Sequence, residues 1–212
     1  PALGPISRQL WGLRPLGSPS IFEMLVNAIL GQQISMIAAH AIKERLVLQL
    51  GATAIVDGRH YYAFPTPEAL AATSEEELVA LKFSRRKAEY VRDLAIAIAD
   101  GRLDLEALRG HSHDEILEYL VGIRGIGRWT AEYVVLRGYG YPDALPAGDA
   151  GLRRQVFRYY ALPEPPSEAA LTAIAEAWRP YRSWATLYLW SAEWAVNPAV
   201  DAVETEAVLE AG

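Results

Sequence analysis

From Ser20 onward the chain is punctuated by helix starts and stops, and this feature constrains its fold more than any other. Ser20 with Glu23 three residues on reads as a capping box, in which a hydroxyl and a carboxylate satisfy N–H groups that the first helical turn leaves without partners. The same pattern recurs at Ser74 with Glu77 and at Ser112 with Glu115. Thr66-Pro67 joins an N-cap to proline at the first helical position, and Ser84 opens a helix that Gly101 closes. Behind Ser20, the residues Phe22, Leu25, Val26, Ile29 and Leu30 recur at helical spacing and predict a buried stripe. A second helix is expected over roughly 35–50, with others near 128–139, 149–160, 167–178 and 180–195. No segment alternates apolar and polar residues over a useful length, so the expected fold is all-α. Ala52 to Phe64 reads as a loop or a short extra turn, and Gly138 to Gly148, with three glycines and two prolines, is the clearest joint.

With 212 residues, 51% of them hydrophobic, the chain can bury a substantial core as one large domain or two small ones. It has no cysteine, which excludes disulfides, thiolate zinc sites and iron-sulfur clusters. No uncharged apolar run of about 18 residues is present, and the N-terminal residues lack the features of a signal peptide, so a soluble intracellular protein is expected. The four histidines, His40, His60, His111 and His113, show no ligand spacing with carboxylates. His111 and His113, flanking Ser112 at a helix start, are expected at the surface. A net charge of −6 argues against a general polyanion binder, but the average hides polarity. Lys82, Arg85, Arg86, Lys87 and Arg92 face only Glu89 between positions 82 and 92. Six arginines (124, 128, 137, 153, 154 and 158) outnumber Glu132, Asp143 and Asp149 between 120 and 160. The acid lies elsewhere, in 68–77 and 193–210.

The most informative stretch is LVGIRGIGRWTAEY, residues 120–133. A helix runs into Gly122, a tight turn carries Gly125 and Gly127, and a new helix starts at once. Glycines permit positive φ and close backbone approach, while a helix N-terminus offers N–H groups and a positive dipole end. The turn is suited to gripping phosphate, or equally to packing a helix-turn-helix corner tightly. Downstream, Asp149 follows Pro146-Ala147-Gly148 and precedes Gly151-Leu152-Arg153-Arg154, a helix start where an ionised carboxylate is favoured. Asp149 is an N-cap on this pattern and a candidate fixed anion. Asp143, after Pro142, reads as a turn residue.

VGIRGIGRWTAEYVVLRGYG followed by YPDALPAGDAGLRR resembles the helix-hairpin-helix, Gly/Pro-rich loop and aspartate of one DNA glycosylase superfamily. Within it, the resemblance is to its alkylation-repair branch, 3-methyladenine DNA glycosylase II. FEMLVNAILGQQIS, FPTPEALA and WRPYRSWATLYLW extend the match in register over most of 20–195. The resemblance implies two helical lobes with a cleft between them, 21–137 ending in the hairpin and 1–20 with 138–212 carrying the acid. The β-rich N-terminal domain of some relatives is not expected in this chain.

In that family Asp149 is the catalytic position, and Trp129, Tyr133 and Trp190 line the pocket for the flipped base. Gln33 matches the side chain inserted into the vacated stack, with Gln32 as the alternative. Gly125, Gly127, Arg128, Thr130, Arg153 and Arg154 match DNA-contacting positions, and the carbonyls of Gly122 and Gly125 could hold a sodium or potassium ion bridging to the DNA backbone. Arg85, Arg86 and Lys87 read as a solvated helix start or a phosphate-facing cluster. Trp178, Trp184 and Trp194 are assigned to packing. Members that also nick the backbone carry lysine where this chain has Trp129, which implies a glycosylase without lyase activity. The implied partner is damaged double-stranded DNA, with no membrane, no required cofactor and a monomeric protein located in the cytoplasm if bacterial. The rival reading is a non-catalytic hairpin protein that senses damage.

Overall fold

The computed structural model describes residues 3–14 and 17–195, with side chains described up to residue 192. Two compact units emerge, one formed by Gly17–Tyr139 and the other by the described parts of Pro1–Leu16 and Gly140–Gly212. Both are helical, as the capping signals predict.

The first unit is organised around α2 (Ile21–Gly31), whose Ile21, Phe22, Met24, Leu25, Val26, Ala28, Ile29 and Leu30 are all buried. A helix buried on so many sides must be wrapped by others. It contacts α3 (Met36–Leu50), α6 (Arg85–Ala99) and α8 (Arg128–Val134). Two short helices, α4 (Pro67–Ala72) and α5 (Glu75–Ala80), lie against α6, and α7 (His113–Val121) lies against α8. The boxes at Ser74 and Ser112 form with both reciprocal hydrogen bonds. At Ser20 only half of the expected box exists. Its hydroxyl accepts from the Glu23 N–H at 3.1 Å, but the Glu23 carboxylate pairs with Lys43 at 2.9 Å and does not return to the Ser20 N–H, while Glu106 accepts from the neighbouring Ile21 N–H at 3.0 Å.

One expectation is corrected. The segment from 52 to 64 is a β-hairpin, β1 (Thr53–Val56) pairing antiparallel with β2 (Arg59–Tyr62). Asp57 and Gly58 both take positive φ, 50° and 75°, as a two-residue hairpin turn of the primed type requires. All eight strand residues are exposed, so neither face had to alternate, and the usual pattern is missing. The helix expected over 128–139 is also interrupted, because the α-helical turns end at Val134 and a wider π turn covers Val135–Tyr139.

In the second unit, α9 (Ala150–Tyr159), α10 (Glu168–Ala175) and α11 (Arg182–Ala195) enclose a core of Leu145, Leu152, Val156, Leu171, Trp178, Ala185 and Leu189. An unforeseen helix, α1 (Leu3–Gln9), adds Ile6 to this core by packing on α11. Gly4 and Pro5 weaken its local signal, and tertiary burial supplies what propensity lacks. Trp178 is buried as expected and donates from its indole to the Tyr160 hydroxyl at 2.8 Å, while Trp184 is half-buried. The side chain of Trp194 lies outside the described residues. Among the described residues no helix is long and apolar enough to cross a membrane.

Candidate active site

After the Gly/Pro loop, Asp149 takes the N-cap of α9 with an extended backbone, φ −69° and ψ 118°. Its Oδ1 accepts from the Leu152 N–H at 2.6 Å and from the Trp190 indole Nε1 at 2.9 Å. Two donors on one oxygen orient the carboxylate at the N-terminus of α9. A side chain at Gly151 would come within 3.1 Å of Oδ1, so glycine leaves the carboxylate its place. The acid is half-buried, neither sealed in the core nor fully in water.

Helix α11 holds both ends of the loop that delivers Asp149. At the far end, Arg182 donates from Nε to Asp143 Oδ1 at 2.9 Å and from a terminal nitrogen to the Asp143 carbonyl at 2.7 Å. The Ser183 hydroxyl accepts from the Ala144 N–H at 2.9 Å and donates to the Tyr141 carbonyl at 2.6 Å. Burial alone would raise the Asp143 carboxyl, but hydrogen bonds from Arg182 and the charges of Arg182 and Arg179 outweigh it and hold the group below the usual carboxylate range. Asp143 is therefore a turn residue, as the sequence suggests, and a structural anion. Arg153, expected to meet phosphate, gives its Nε to the Pro166 carbonyl at 2.6 Å, while Arg154 is exposed on the same helix.

In the other unit, the α7–α8 hairpin turns through Gly125 at φ +88°, with the Ile126 N–H donating to the Ile123 carbonyl at 3.0 Å. A Cβ at Gly125 would lie 2.5 Å from carbons of the Tyr90 ring, so two independent constraints require glycine there. Gly127 is the N-cap of α8 and brings no capping side chain to its first turn. Arg128 is exposed at that turn, whereas Thr130 is buried. Trp129 and Tyr133 share a face of α8, with ring centroids 5.8 Å apart.

The two glutamines differ sharply. Gln32 donates from Nε2 to the Gly125 carbonyl at 3.1 Å and to Thr130 Oγ1 at 3.0 Å. Gln33 is exposed and holds φ at +57°, a left-handed conformation that costs a residue with a Cβ on the order of 1 kcal/mol.

Three features were not legible in the sequence. Lys87, grouped there with Arg85 and Arg86, puts its ammonium on the carbonyls of Leu30 at 2.6 Å and Gln32 at 2.7 Å, and burial lowers its pKa from the ordinary lysine value. Of its neighbours, Arg85 is exposed and Arg86 donates to the Tyr90 hydroxyl at 2.7 Å. His113, expected at the surface, is only 25% exposed and lies 3.1 Å from the buried Glu132, which draws it inward from the start of α7. That hydrogen bond, working against burial and helped by Asp114, raises its pKa. Trp190 was foreseen as a pocket ring, but its hydrogen bond to Asp149 spans 41 residues and leaves no local trace.

Among the described residues no group of three or more His, Cys, Asp or Glu is placed to hold a metal ion. For a cation at the hairpin, the Gly125 carbonyl already accepts from Gln32, which leaves one lone pair for an ion.

A glycine-built helical hairpin and, further on, a carboxylate capping a helix after a Gly/Pro loop define a class of nucleic-acid repair fold. The chain belongs to the HhH-GPD superfamily of base excision DNA repair proteins, whose family model matches residues 26–180. It is 34% identical over 190 residues to the DNA-3-methyladenine glycosylase of Bacillus subtilis, covering 90% of this chain and 63% of that protein. Among solved structures it is similar to the 3-methyladenine DNA glycosylase of Archaeoglobus fulgidus, with a TM-score of 0.82 and 33% identity, covering 90% of this chain and 64% of the other. The Schizosaccharomyces pombe 3-methyladenine DNA glycosylase in complex with abasic DNA matches with a TM-score of 0.78 and 28% identity over 90% of both chains. The chain thus spans less than two thirds of the bacterial relative.

Proposed function

We propose that this chain carries a monofunctional DNA glycosylase activity that removes alkylated purines, such as 3-methyladenine and 7-methylguanine, from double-stranded DNA. The observation that carries the reading is the carboxylate of Asp149, held by the Leu152 amide and the Trp190 indole at the start of α9. The names of the relatives support the substrate class.

In this reaction the N-glycosidic bond breaks and its electron pair leaves with the base. Alkylation gives the purine a positive charge, so it departs neutral and needs little acid catalysis. Positive charge develops on the sugar, where a fixed carboxylate stabilises it and orients the water that adds to C1′ and gives up a proton. Trp129, Tyr133 and Trp190 are proposed to receive the base, because electron-rich rings attract a cationic purine. Gln33 fills the vacated stack, and Gly125, Gly127, Arg128 and Arg154 meet the sugar-phosphate strand. Arg153 keeps its terminal nitrogens for the same strand. Thr130 contributes indirectly, through its bond to Gln32. A monovalent cation on the carbonyls of Gly122 and Gly125 would neutralise phosphate charge there. Trp129 cannot form an imine with the abasic sugar, so backbone nicking is not part of the activity.

The test is incubation of the protein with duplex containing 3-methyladenine or 7-methylguanine, measuring free base and, under borohydride, any covalent adduct. Free base without a trapped adduct is expected, and Asp149→Asn should lose at least about 100-fold in excision rate while still binding DNA. Binding without base release in wild type would leave a damage-sensing protein in place of the enzyme.

A further inference from the structure

The end of α2, the first turn of α6 and the α7–α8 hairpin meet at Gln32. Its main-chain N–H donates to the Ile29 carbonyl at 3.2 Å, its own carbonyl accepts from Lys87 Nζ at 2.7 Å, and its side-chain amide bridges Gly125 and Thr130. Lys87 also takes the Leu30 carbonyl, so one ammonium closes two acceptors at the negative end of the α2 dipole. Beyond this knot the chain runs through Gln33 and Ile34, both exposed, to Ser35, whose hydroxyl caps α3 by accepting from the Ala38 N–H at 3.2 Å. Gln33 therefore stands exposed, in a left-handed conformation, between two anchored residues, Gln32 and Ser35.

A side chain that enters a base stack must be delivered at a defined distance from the strand that the hairpin grips. We infer that Lys87 is a positioning residue for Gln33: by fastening the carbonyls of Leu30 and Gln32 it fixes the loop, and through Gln32 it couples that loop to the glycine hairpin. The hairpin's seat on the sugar-phosphate strand then determines where Gln33 enters. Lysine suits this role because a compact ammonium reaches two carbonyls that differ in direction, which a planar guanidinium would not match. The inference rests on the proposed glycosylase reading for its ligand, a duplex with a vacated nucleotide position. It needs no bond cleavage.

The experiment uses the full chain and a duplex in which 2-aminopurine stands opposite a tetrahydrofuran abasic analogue, so that filling of the gap changes the fluorescence. Lys87→Met keeps most of the stem and removes the donors. At saturating protein it should lose more than about half of the fluorescence change, while affinity for undamaged duplex stays within about threefold of wild type. Gln33→Gly should lose the same signal, and the double variant should be no worse than Gln33→Gly alone. A wild-type signal in Lys87→Met, or losses that add in the double variant, would overturn the inference. If Lys87→Met unfolds, Gln32→Leu cuts the same link at its other end and must lose the signal too; a wild-type response there overturns the coupling. The analogue has no base to excise, so the two readings fail separately. A gap-dependent signal with no release of 3-methyladenine sinks the enzyme and spares the positioning role. Absence of any gap-dependent signal in wild type sinks the positioning role whatever is released.

Discussion

Two helices of this protein begin directly after glycine-containing turns, and they treat their first-turn amides in opposite ways. At α9 the amide of Leu152 is taken by the cap residue's own carboxylate, Asp149, which a second donor from Trp190 then pins. At α8 the cap is Gly127, which brings no side chain, and an exposed arginine follows. The first arrangement spends a helix N-terminus on holding an anion that belongs to the protein. On the proposed function, the second offers one to an anion from outside, the phosphate of a bound strand. A group that stabilises charge in a transition state works best when it is ordered beforehand, whereas a grip on phosphate needs donors left available. On the proposed function, the same local physics would serve chemistry in one unit and attachment in the other.

The contrast breaks most visibly at Trp190. Trp190→Phe keeps a ring and removes the N–H, so Asp149 Oδ1 loses the indole donor. A hydrogen bond to a charged group contributes about 1.5–3 kcal/mol, which corresponds to a loss of roughly 10–100-fold in single-turnover excision. Affinity for undamaged duplex should hardly change. An unaltered excision rate would mean that the indole N–H does not order the acid.

Gly125→Ala tests the other side. The methyl group would meet the Tyr90 ring at 2.5 Å and force an L-residue to φ +88°. A destabilisation of about 1–2 kcal/mol is expected for the backbone alone, seen as a fall of several degrees in Tm. Duplex binding should weaken by about tenfold, with excision at saturating DNA less affected. The two variants then dissociate, one through rate and the other through affinity. If both act on rate alone, the hairpin is not the grip.

What was readable in the sequence, and what was not, divides by range. The boxes at Ser74 and Ser112 are closed within four residues, and both form as read. The box at Ser20 carries the same letters and forms only in half, because Lys43, 20 residues away, attracts the Glu23 carboxylate. The buried stripe of α2 was plain from its period, and the helical fold follows from it and from the caps. The β-hairpin escaped because its Asp-Gly turn was present but its strands, exposed on both faces, had no reason to alternate. Site chemistry was legible where a motif is contiguous, as in the glycine turn and the loop before Asp149. It was illegible where a partner comes from afar. The carbonyls that Lys87 serves lie 55 and 57 residues away, and a lysine beside two arginines gives no hint of that burial.

The smallest expected effect concerns what holds the open helix in place. His113, the first residue of α7, and Glu132 on α8 join the two helices of the hairpin at 3.1 Å, with Arg128 on the other Glu132 oxygen at 3.3 Å. Glu132 is buried, with both of these groups at its carboxylate oxygens. Since the hydrogen bond to Glu132 raises the folded pKa of His113, protonated His113 favours the folded state. That contribution is complete below the unfolded histidine pKa of about 6.5 and is lost as pH rises through the higher folded value. Against His113→Gln, the wild type should therefore be more stable at pH 5.5 by about 0.5–1 kcal/mol, and this advantage should shrink at pH 8.5. Thermal unfolding of both proteins at the two pH values measures it. A constant difference would show that the histidine contributes shape and a neutral hydrogen bond, and that its charge does not help to hold the hairpin.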